Sequence, residues 1–275
     1  MNYLIVDKLI ENALIEDINY GDITTDTLFS GDEISKGKFV AKECGVIAGI
    51  DVAKRVFEFL DKSVNFKILI NDGLSVKEGD IIAEVEGSSK SILKAERVAL
   101  NILQRMSGIA TKTNKIVNLV KDYDVKIADT RKTLPGFRML DKYSVKVGGG
   151  YNHRLNLSDF VMIKDNHIQA VGSITEAVKR INDKVGFTTK IEVEVENLDQ
   201  LREAMKTKVD VIMLDNMDIK TMKEAVKLAH GKFILEASGN VTEENIKNVA
   251  ATGVDIISLG ALTHSVNALD ISLKF

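Results

Sequence analysis

Apolar residues recur along the chain with two different rhythms, and the rhythm changes near residue 125. Before that point, stretches with an apolar residue every three or four positions alternate with short strand-like runs. The segment 23–26, after Gly21-Asp22, is typical of a turn with helix-capping chemistry. The pattern around 76–85 is similar to the hammerhead of biotinyl and lipoyl domains, but it lacks the lysine motif that carries the prosthetic group, so we interpret it as scaffold. The spacing predicts helices over 4–18, 52–60 and 94–120, the last broken near Ser107-Gly108, and strands over 39–50, 66–70 and 80–86.

From residue 125 onward, short β-branched runs alternate with helical segments. This order indicates parallel βα units, and five or six units in about 150 residues favour barrel-like closure over a flat sheet. Asp199 and Thr242 stand near the predicted helix starts, where capping is expected. Strands are predicted at 125–129, 160–164, 190–196, 209–215, 233–238 and 254–260, and helices at 174–181, 198–205, 219–228 and 242–250.

Polar residues follow almost every predicted strand of this second half. In parallel α/β folds the carboxyl ends of the strands form the ligand face, so these residues are expected to converge on one rim. Glu192, Glu194 and Glu196 occupy alternate positions of one run, which places them on one face of the sheet. The other polar ends are 129–132, 164–167, 215–216, 236–240 and 258–260.

Composition narrows the class of protein. The chain has 275 residues, of which 45% are hydrophobic and 28% charged, and this suffices for a sizeable core in one large domain or two smaller ones. Its net charge of -3 argues against a general nucleic-acid binder. It contains no apolar run of roughly 18 residues, and acids stand where a signal peptide would be basic. Cys44 is the single cysteine, so no internal disulfide is possible, and we predict a cytoplasmic protein without a membrane partner.

A basic stretch lies within this acidic chain. Residues 97–164 hold thirteen Lys and Arg against five Asp and Glu. A solvated, salt-bridged surface is the ordinary explanation for scattered lysines, but it fits a cluster of arginine, histidine and glycine poorly. The stretch therefore predicts a pocket for a small ligand with several negative charges.

Two kinds of ligand group are implied by the strand-end residues. The cations Arg131, Lys132, Arg154 and Lys164 suit carboxylates or phosphates. Carboxylates such as Glu194 and Asp215 suit a hard divalent cation such as Mg2+, usually together with substrate phosphates. Ser238-Gly239-Asn240 and Gly260-Ala261 are predicted to follow strands and precede helices, where backbone N–H groups can hold a phosphate.

Nine stretches carry a resemblance to a known family: EDINYGDITTD (16–26), ERVALNILQRMSGIAT (96–111), DTRKTLPGFR (129–138), KVGGGYNHRLNLSD (146–159), IKDNH (163–167), IEVEVEN (191–197), IMLDNM (212–217), LEASGN (235–240) and GVDIISLGALTHS (253–265). In these stretches the chain resembles the quinolinate phosphoribosyltransferases, also called carboxylating nicotinate-nucleotide pyrophosphorylases. Asn240 departs from the pattern, since many members carry a second glycine there.

The resemblance implies an α/β protein with an N-terminal α/β sandwich joined to an open, roughly seven-stranded α/β barrel. The implied domains are 1–108, joined by 266–275, and a catalytic barrel over 109–265. The implied reaction is a Mg2+-dependent pentosyl transfer in which quinolinate and phosphoribosyl pyrophosphate give nicotinate mononucleotide, pyrophosphate and CO2, as a step of NAD biosynthesis. The implied assembly is an obligate homodimer.

The resemblance also implies residue roles, which group by ligand. Lys132, Glu194 and Asp215 would be the catalytic residues, serving phosphoribosyl pyrophosphate and its metal. Arg97 would be lent across the dimer interface to the quinolinate site of the other subunit. Quinolinate would be held by Arg131, His153, Arg154 and Lys164, and the 5′-phosphate would be surrounded by Ser238, Gly239, Asn240, Gly260 and His264.

Several neighbouring residues keep more than one interpretation. Arg138 either contacts the ligand or supports residues that do, and His167 is structural or catalytic. His153 could merely orient Arg154, but the adjacent His-Arg pair after a triple glycine favours direct contact with the ligand. Two rival functions compete with this assignment: that of a paralogue associated with molybdenum transport, and that of a non-catalytic binding module, which predicts no convergence of charge on the strand ends. We interpret Arg105 as a structural ion pair or a helix-surface residue, not a ligand, and His230 as an exposed helix-end residue. Glu192 and Glu196 are interpreted as partners of the cations and not as metal ligands.

Overall fold

The computed structural model describes residues 1–229 and 231–275, and the chain divides into two compact units. Unit 1 comprises Met1–Asn114, Thr133–Gly149 and Ala261–Phe275, and unit 2 comprises Lys115–Lys132 and Gly150–Gly260. This division differs from the boundary predicted at 108/109 because 133–149 and 261–265 join unit 1; the domain boundaries themselves stay a prediction. His230 lies outside the described residues.

Unit 1 is built on a four-stranded antiparallel sheet in the order β12-β1-β5-β3, with a separate two-stranded pair β2-β4. Its strands are β1 (Ile34–Ala41), β2 (Gly45–Val46), β3 (Asn65–Ile68), β4 (Ser75–Val76), β5 (Ile81–Ser88) and β12 (Ile271–Lys274). Its helices are α1 (Tyr3–Ile18), α2 (Ile23–Leu28), α3 (Ile50–Leu60), α4 (Ser89–Leu119, of which residues to 114 belong to this unit), α5 (Arg138–Val147) and α11 (Ala261–His264).

Three phenylalanines mark the core of unit 1. Phe39 and Phe66 come from the sheet and Phe57 from α3, and their ring centroids lie 5.3–5.9 Å apart. Such edge-to-face and tilted contacts are the favoured geometry for aromatic pairs. The carboxylate of Asp72 accepts hydrogen bonds from the first amides of α3, at Gly49 and Ile50, over 2.8 and 3.0 Å. Segment 39–50 is predicted as one strand, but it contains the end of β1, the short strand β2 and the first residue of α3. The packing of Phe57 and the hydrogen bonds to Asp72 explain why α3 begins there.

The predicted break of α4 near Ser107-Gly108 is wrong, since α4 runs without interruption from Ser89 to Leu119. Both residues serve close packing. Ser107 Oγ accepts a hydrogen bond from the amide of Ala48 at 3.1 Å. A Cβ added to Gly108 would lie 2.1 Å from the carbonyl oxygen of Asn267, so only glycine allows the chain to pass there.

Unit 2 is a parallel sheet in the order β6-β11-β10-β9-β8-β7. The end strands β6 and β7 do not pair with each other in the described residues, and a single parallel bridge from Tyr151 to Ala128 extends the sheet beyond β6. Six strands plus this bridge agree with an open barrel of about seven strands, so the predicted fold class is confirmed. The strands are β6 (Lys126–Ala128), β7 (Val161–Ile163), β8 (Ile191–Val195), β9 (Val211–Asp215), β10 (Ile234–Ser238) and β11 (Ile256–Ser258), and the helices are α6 (Asp165–Val171), α7 (Ile174–Asn182), α8 (Leu198–Ala204), α9 (Ile219–Ala229) and α10 (Ile246–Ala250).

The predicted strands of unit 2 therefore agree with the structure to within a few residues, but two predicted helix caps do not. The side chain of Asn197, not Asp199, accepts the first amide hydrogen bonds of α8. Thr242 lies before α10, which begins only at Ile246. Ser238-Gly239-Asn240 is consequently followed by a turn and not by a helix N-terminus. Within the described part of the chain, the helices are all too short or too polar to cross a membrane.

Candidate active site

A cavity of about 560 Å3 opens at the carboxyl ends of the unit 2 strands. The strand register explains which side chains share it. Met213 is the sheet neighbour of both Glu194 and Glu236, and Asp215 is the neighbour of Ser238. Because residues two apart on a strand point to the same face, these positions all face the barrel interior. The cavity is lined by Thr130, Arg131, Lys132, His153, Arg154, Met162, Lys164, Glu194, Met213, Asp215, Asn216, Glu236, Ser238, Gly239, Asn240 and Ser258.

The Arg154 guanidinium is the most buried cation of the cavity, since the residue is only 8% exposed. It lies 5.7 Å from the ring centroid of Phe160, whose carbonyl oxygen accepts a hydrogen bond from Arg154 Nη1 at 3.4 Å. Burial and then the neighbouring Arg131 lower the pKa of Arg154, while Glu192 and Asp159 oppose the shift. Two guanidiniums brought together out of water attract an anion, and a carboxylate matches their planar geometry.

A second group of charges lies around Glu194 and Asp215. Lys164 Nζ is 2.5 Å from Glu194 Oε2, at the end of β7. Burial, and then the charge of the Glu194 carboxylate, raise the pKa of Asp215. The hydrogen bond from Asn216 and the charge of Lys164 act in the opposite direction. Two carboxylates that disfavour each other's ionisation are suited to a divalent cation, which would relieve their repulsion.

The two ring nitrogens of His153 face different partners. Its Nδ1 accepts a hydrogen bond from the backbone amide of Arg154 at 2.8 Å. Its Nε2 faces Glu192 at 3.3 Å and Glu236 at 3.6 Å, and the amide of His153 itself donates to Asp129 at 2.8 Å. The bond to Arg154 favours the interpretation of His153 as the residue that orients Arg154. One nitrogen and one oxygen from each glutamate lie within 4.8 Å of one another, so these three donors are close enough to share a small cation or a proton.

The turns after β9 and β10 both contain residues with a left-handed backbone conformation. Asn216, Gly239 and Asn240 have φ values of 53°, 84° and 52°. Asn216 Oδ1 accepts a hydrogen bond from Asn240 Nδ2 at 3.0 Å, and Asn216 Nδ2 donates to Asp215 at 2.6 Å. Asparagine tolerates this conformation better than most residues, which explains how Asn240 occupies a position where a glycine is usual in the family it resembles.

Ten of the thirteen residues predicted for the site line this one cavity, and the convergence argues against a non-catalytic binding module. Gly260 is the last residue of unit 2 and is not among the lining residues. Arg97 and His264 belong to unit 1, where both are exposed, Arg97 on α4 and His264 at the end of α11. The functional roles of all thirteen stay predictions.

The residues for which the sequence allowed more than one role make different contacts in the structure. The guanidinium of Arg105 makes two hydrogen bonds to Asp141, at 2.9 and 2.8 Å, which confirms a structural ion pair. His167 Nδ1 accepts a hydrogen bond from the amide of Lys164 at 2.9 Å at the start of α6, which agrees with the structural interpretation and does not test the catalytic one. Arg138 donates to Thr133 in unit 1 at 3.0 Å, and its further role stays open.

The interpretation of the three alternating glutamates needs correction. Glu196 lies beyond the end of β8 and is exposed, because its amide turns to the side chain of Gln200. Glu192 is buried beside His153 and a second acid, Glu236, in addition to lying near Arg154. Glu236 was not predicted as a site residue. Its signal in the sequence is a glutamate inside an otherwise apolar, buried strand, two residues before Ser238.

Comparison with known proteins agrees with this architecture. The chain matches the family model "Quinolinate phosphoribosyl transferase, C-terminal domain" over residues 109–274 and the corresponding N-terminal domain model over residues 22–107. It is 46% identical over 273 residues to a probable carboxylating nicotinate-nucleotide pyrophosphorylase of Bacillus subtilis, covering 99% of this chain and 94% of that protein. It is 44% identical to a mitochondrial decarboxylating quinolinate phosphoribosyltransferase of Nicotiana tabacum, covering 97% of this chain and 81% of that protein.

A solved structure shows the same fold along the whole chain. The crystal structure of NadC from Streptococcus pyogenes is 42% identical and has a TM-score of 0.96, over 100% of this chain and 97% of that one. The matched domain models, the full-length identities and the cavity at the strand ends all agree with the resemblance carried by the sequence motifs. The chain therefore belongs to the quinolinate phosphoribosyltransferase family.

Proposed function

We propose that the chain transfers the phosphoribosyl group of phosphoribosyl pyrophosphate to quinolinate, with loss of CO2, to give nicotinate mononucleotide and pyrophosphate. One observation carries the proposal: four cations and three carboxylates from separate segments of unit 2 line a single cavity. Quinolinate has two adjacent carboxylates, and a pair of neighbouring guanidiniums is matched to them. A ligand with one carboxylate would leave part of this buried positive charge unpaired, which disfavours it.

In this proposal Arg131, Arg154 and Lys164 hold the quinolinate carboxylates, and His153 keeps the backbone of Arg154 in place. The ring nitrogen attacks the anomeric carbon as pyrophosphate departs. Positive charge develops on the ribosyl ring in that step, and the carboxylates of Glu194 and Asp215 can stabilise it electrostatically. The positive charge of the pyridinium that forms stabilises the electron pair left on the ring carbon when the 2-carboxylate leaves as CO2.

Lys132 and the loop 238–240, together with Gly260 and His264, are proposed to hold phosphoribosyl pyrophosphate. The acidic pair Glu194 and Asp215 fits Mg2+, because burial and mutual repulsion raise the pKa of Asp215. When bound, Mg2+ supplies charge neutralisation for the pyrophosphate leaving group. In this arrangement the cations bind the carboxylates of quinolinate, and Lys132 with the loop 238–240 binds the phosphates of the second substrate.

A homodimer with Arg97 completing the partner's pocket is part of the same proposal. Helices α1 and α2 expose large apolar side chains, including Leu4 at 79%, Ile23 at 86% and Leu28 at 70%. Apolar surface of this kind supports association with another copy of the chain. Arg97 is exposed on α4 and available for such a contact. The proposed location is the cytoplasm, although the tobacco relative is mitochondrial.

The activity is tested by incubating the purified chain with phosphoribosyl pyrophosphate and Mg2+, and measuring nicotinate mononucleotide by chromatography and CO2 release. Quinolinate should be converted, and nicotinate in its place should react at least about a hundredfold more slowly, as expected when buried charges are left unpaired. Comparable turnover of nicotinate would overturn the substrate assignment.

The shared pocket is tested by mixing Arg97→Ala chains with Arg131→Ala chains under conditions that exchange subunits. Each variant alone should be nearly inactive. In a mixed dimer one pocket carries both lesions and the other carries none, so about a quarter of wild-type activity should return at equal mixing. If exchange is verified by mass and no activity returns, Arg97 does not act across subunits.

A further inference from the structure

Two buried acids meet one histidine in the wall of the cavity. Glu192 on β8 and Glu236 on β10 are each 2% exposed, and one oxygen of each lies 3.3 and 3.6 Å from His153 Nε2. The second oxygens, Oε1 of both glutamates, are buried without a hydrogen-bond partner among the described residues. Burying two ionised carboxylates in this way is unfavourable unless a proton or a cation joins them.

The hydrogen bonds of His153 indicate whether a proton or a cation offsets the charge of the two carboxylates. Nδ1 accepts the amide of Arg154, so its lone pair is occupied, and the neutral ring carries its proton on Nε2. A nitrogen that carries a proton offers no lone pair to a metal. Nε2–H can only donate, and it is a single donor facing two carboxylates. A second proton, carried by one of the two acids, would therefore relieve the repulsion between the buried carboxylates.

Glu236 is the acid that keeps this proton. Burial, and then the charge of Glu192, raise the pKa of Glu236 to about 7, while His153, Ser258 and Lys164 act in the opposite direction. These are the titratable and polar groups that face it from the neighbouring strands and from the loop of His153. Glu236 lines the cavity and Glu192 does not, so only Glu236 faces the substrate space.

We propose that Glu236 is the acid that returns a proton to the ring carbon from which CO2 departs. This inference rests on the proposed function and deepens it. The bond from that carbon to its carboxyl group breaks, and its electron pair stays on the ring carbon while CO2 leaves. The pair then takes the proton of the Glu236 carboxyl group, which forms the new C–H bond and leaves Glu236 as a carboxylate. Water restores the proton after the product leaves.

Other cavity residues are less suited to this step. Arg131 and Arg154 do not release protons in proteins. Lys164 is held by Glu194 at 2.5 Å. An acid that is partly protonated at neutral pH is matched to proton transfer under those conditions.

The test compares Glu236→Gln with Glu192→Gln in the full-length protein. Glutamine keeps the size of the side chain and removes the proton, so Glu236→Gln should lower kcat by about a hundredfold or more while quinolinate binding, measured by calorimetry, changes by less than about threefold. Glu192→Gln should cost at most about tenfold, since it only changes a neighbour of His153. Wild-type kcat should fall as the pH rises through neutrality, and Glu236→Gln should lack that fall.

Equal losses in the two glutamine variants would overturn the proposal, because they would mean that the acids only hold His153. Turnover of Glu236→Gln within threefold of wild type would overturn it as well. If Glu236→Gln does not fold, Glu236→Asp, which keeps an acid, should retain a fall of kcat at high pH, and its absence would refute the idea. Failure of the wild-type chain to make nicotinate mononucleotide would refute the proposed function itself, before any variant is measured.

Discussion

Replacing Gly239 with alanine should damage the loop after β10 in a way that can be separated into two causes. The first is backbone strain, since φ at Gly239 is 84°. A residue with a Cβ in this left-handed region costs about 1–2 kcal/mol. The second is steric, because the added Cβ would lie 2.1 Å from Asn216 Oδ1 and 2.6 Å from its Cγ. The Asn216 side chain must move away and lose its 3.0 Å hydrogen bond from Asn240, worth about 1 kcal/mol.

The two costs sum to roughly 2–3 kcal/mol, which corresponds to about 30- to 150-fold in affinity if the loop binds phosphoribosyl pyrophosphate. The KM for phosphoribosyl pyrophosphate should rise toward this limit while the KM for quinolinate changes little. Thermal unfolding measures the same strain without a substrate. Gly73→Ala is a matched control, because Gly73 has a φ of 86° but no atom within 4 Å of an added Cβ.

A double-mutant cycle with Asn216→Ala isolates the clash. The double variant Gly239→Ala/Asn216→Ala should be less impaired than the sum of the single variants by about 1 kcal/mol, because the alanine at 216 makes room for the new methyl group. Strict additivity, or a Gly239→Ala protein whose KM for phosphoribosyl pyrophosphate stays within twofold of wild type, would refute this account of the loop.

Further outcomes are expected elsewhere in the molecule. Arg105→Met should lower the free energy of unfolding by about 3–5 kcal/mol in urea titrations, because it leaves Asp141, which is fully buried, without its cation. In the folded protein the pKa of the Glu236 carboxyl is raised from 4.5 to about 7, so between these pH values the folded state binds more protons than the unfolded state. The free energy of unfolding should therefore fall as the pH rises from 4.5 to about 7, by up to about 1.4 kcal/mol per pH unit, and Glu236→Gln should remove this slope. Arg154→Gln should reduce kcat/KM for quinolinate by about 2–5 kcal/mol in transition-state free energy, measured by steady-state kinetics. Excess chelator should abolish turnover and Mg2+ or Mn2+ should restore it, whereas full activity in chelator would give Glu194 and Asp215 another role.

The strands and most of the cavity could be predicted from the sequence because the signals are local. Buried β-branched runs mark β6 to β11, and the rule that ligands bind at the carboxyl ends of parallel strands brings Arg131, Lys164, Asp215 and Ser238 together without a structure. The parallel order then makes one rim out of residues that are far apart in the chain.

The errors arise where a distant contact decides the outcome. Ser107 and Gly108 read locally as helix breakers, yet Ala48 and the backbone at Asn267 need a small residue at each position. Glu236 reads locally as one more polar residue near a strand end. Its importance comes from Glu192 and His153, which reach the same point from separate segments, and no local pattern reports that meeting.

The path of the chain through unit 1 has a consequence for how the protein is made. The sheet of unit 1 ends in β12, which pairs with β1 residue by residue from Lys38–Lys274 to Ala41–Ile271. One edge of β1 pairs with β5, which is made early, but a ribosome must synthesise all of unit 2 before the other edge meets β12. Until then one edge of β1 has unpaired backbone N–H and C=O groups, and a polypeptide that ends before residue 271 leaves this edge permanently unpaired. Nascent chains and C-terminally trimmed forms should consequently depend on chaperones or form aggregates, even though every residue of the catalytic cavity is already present.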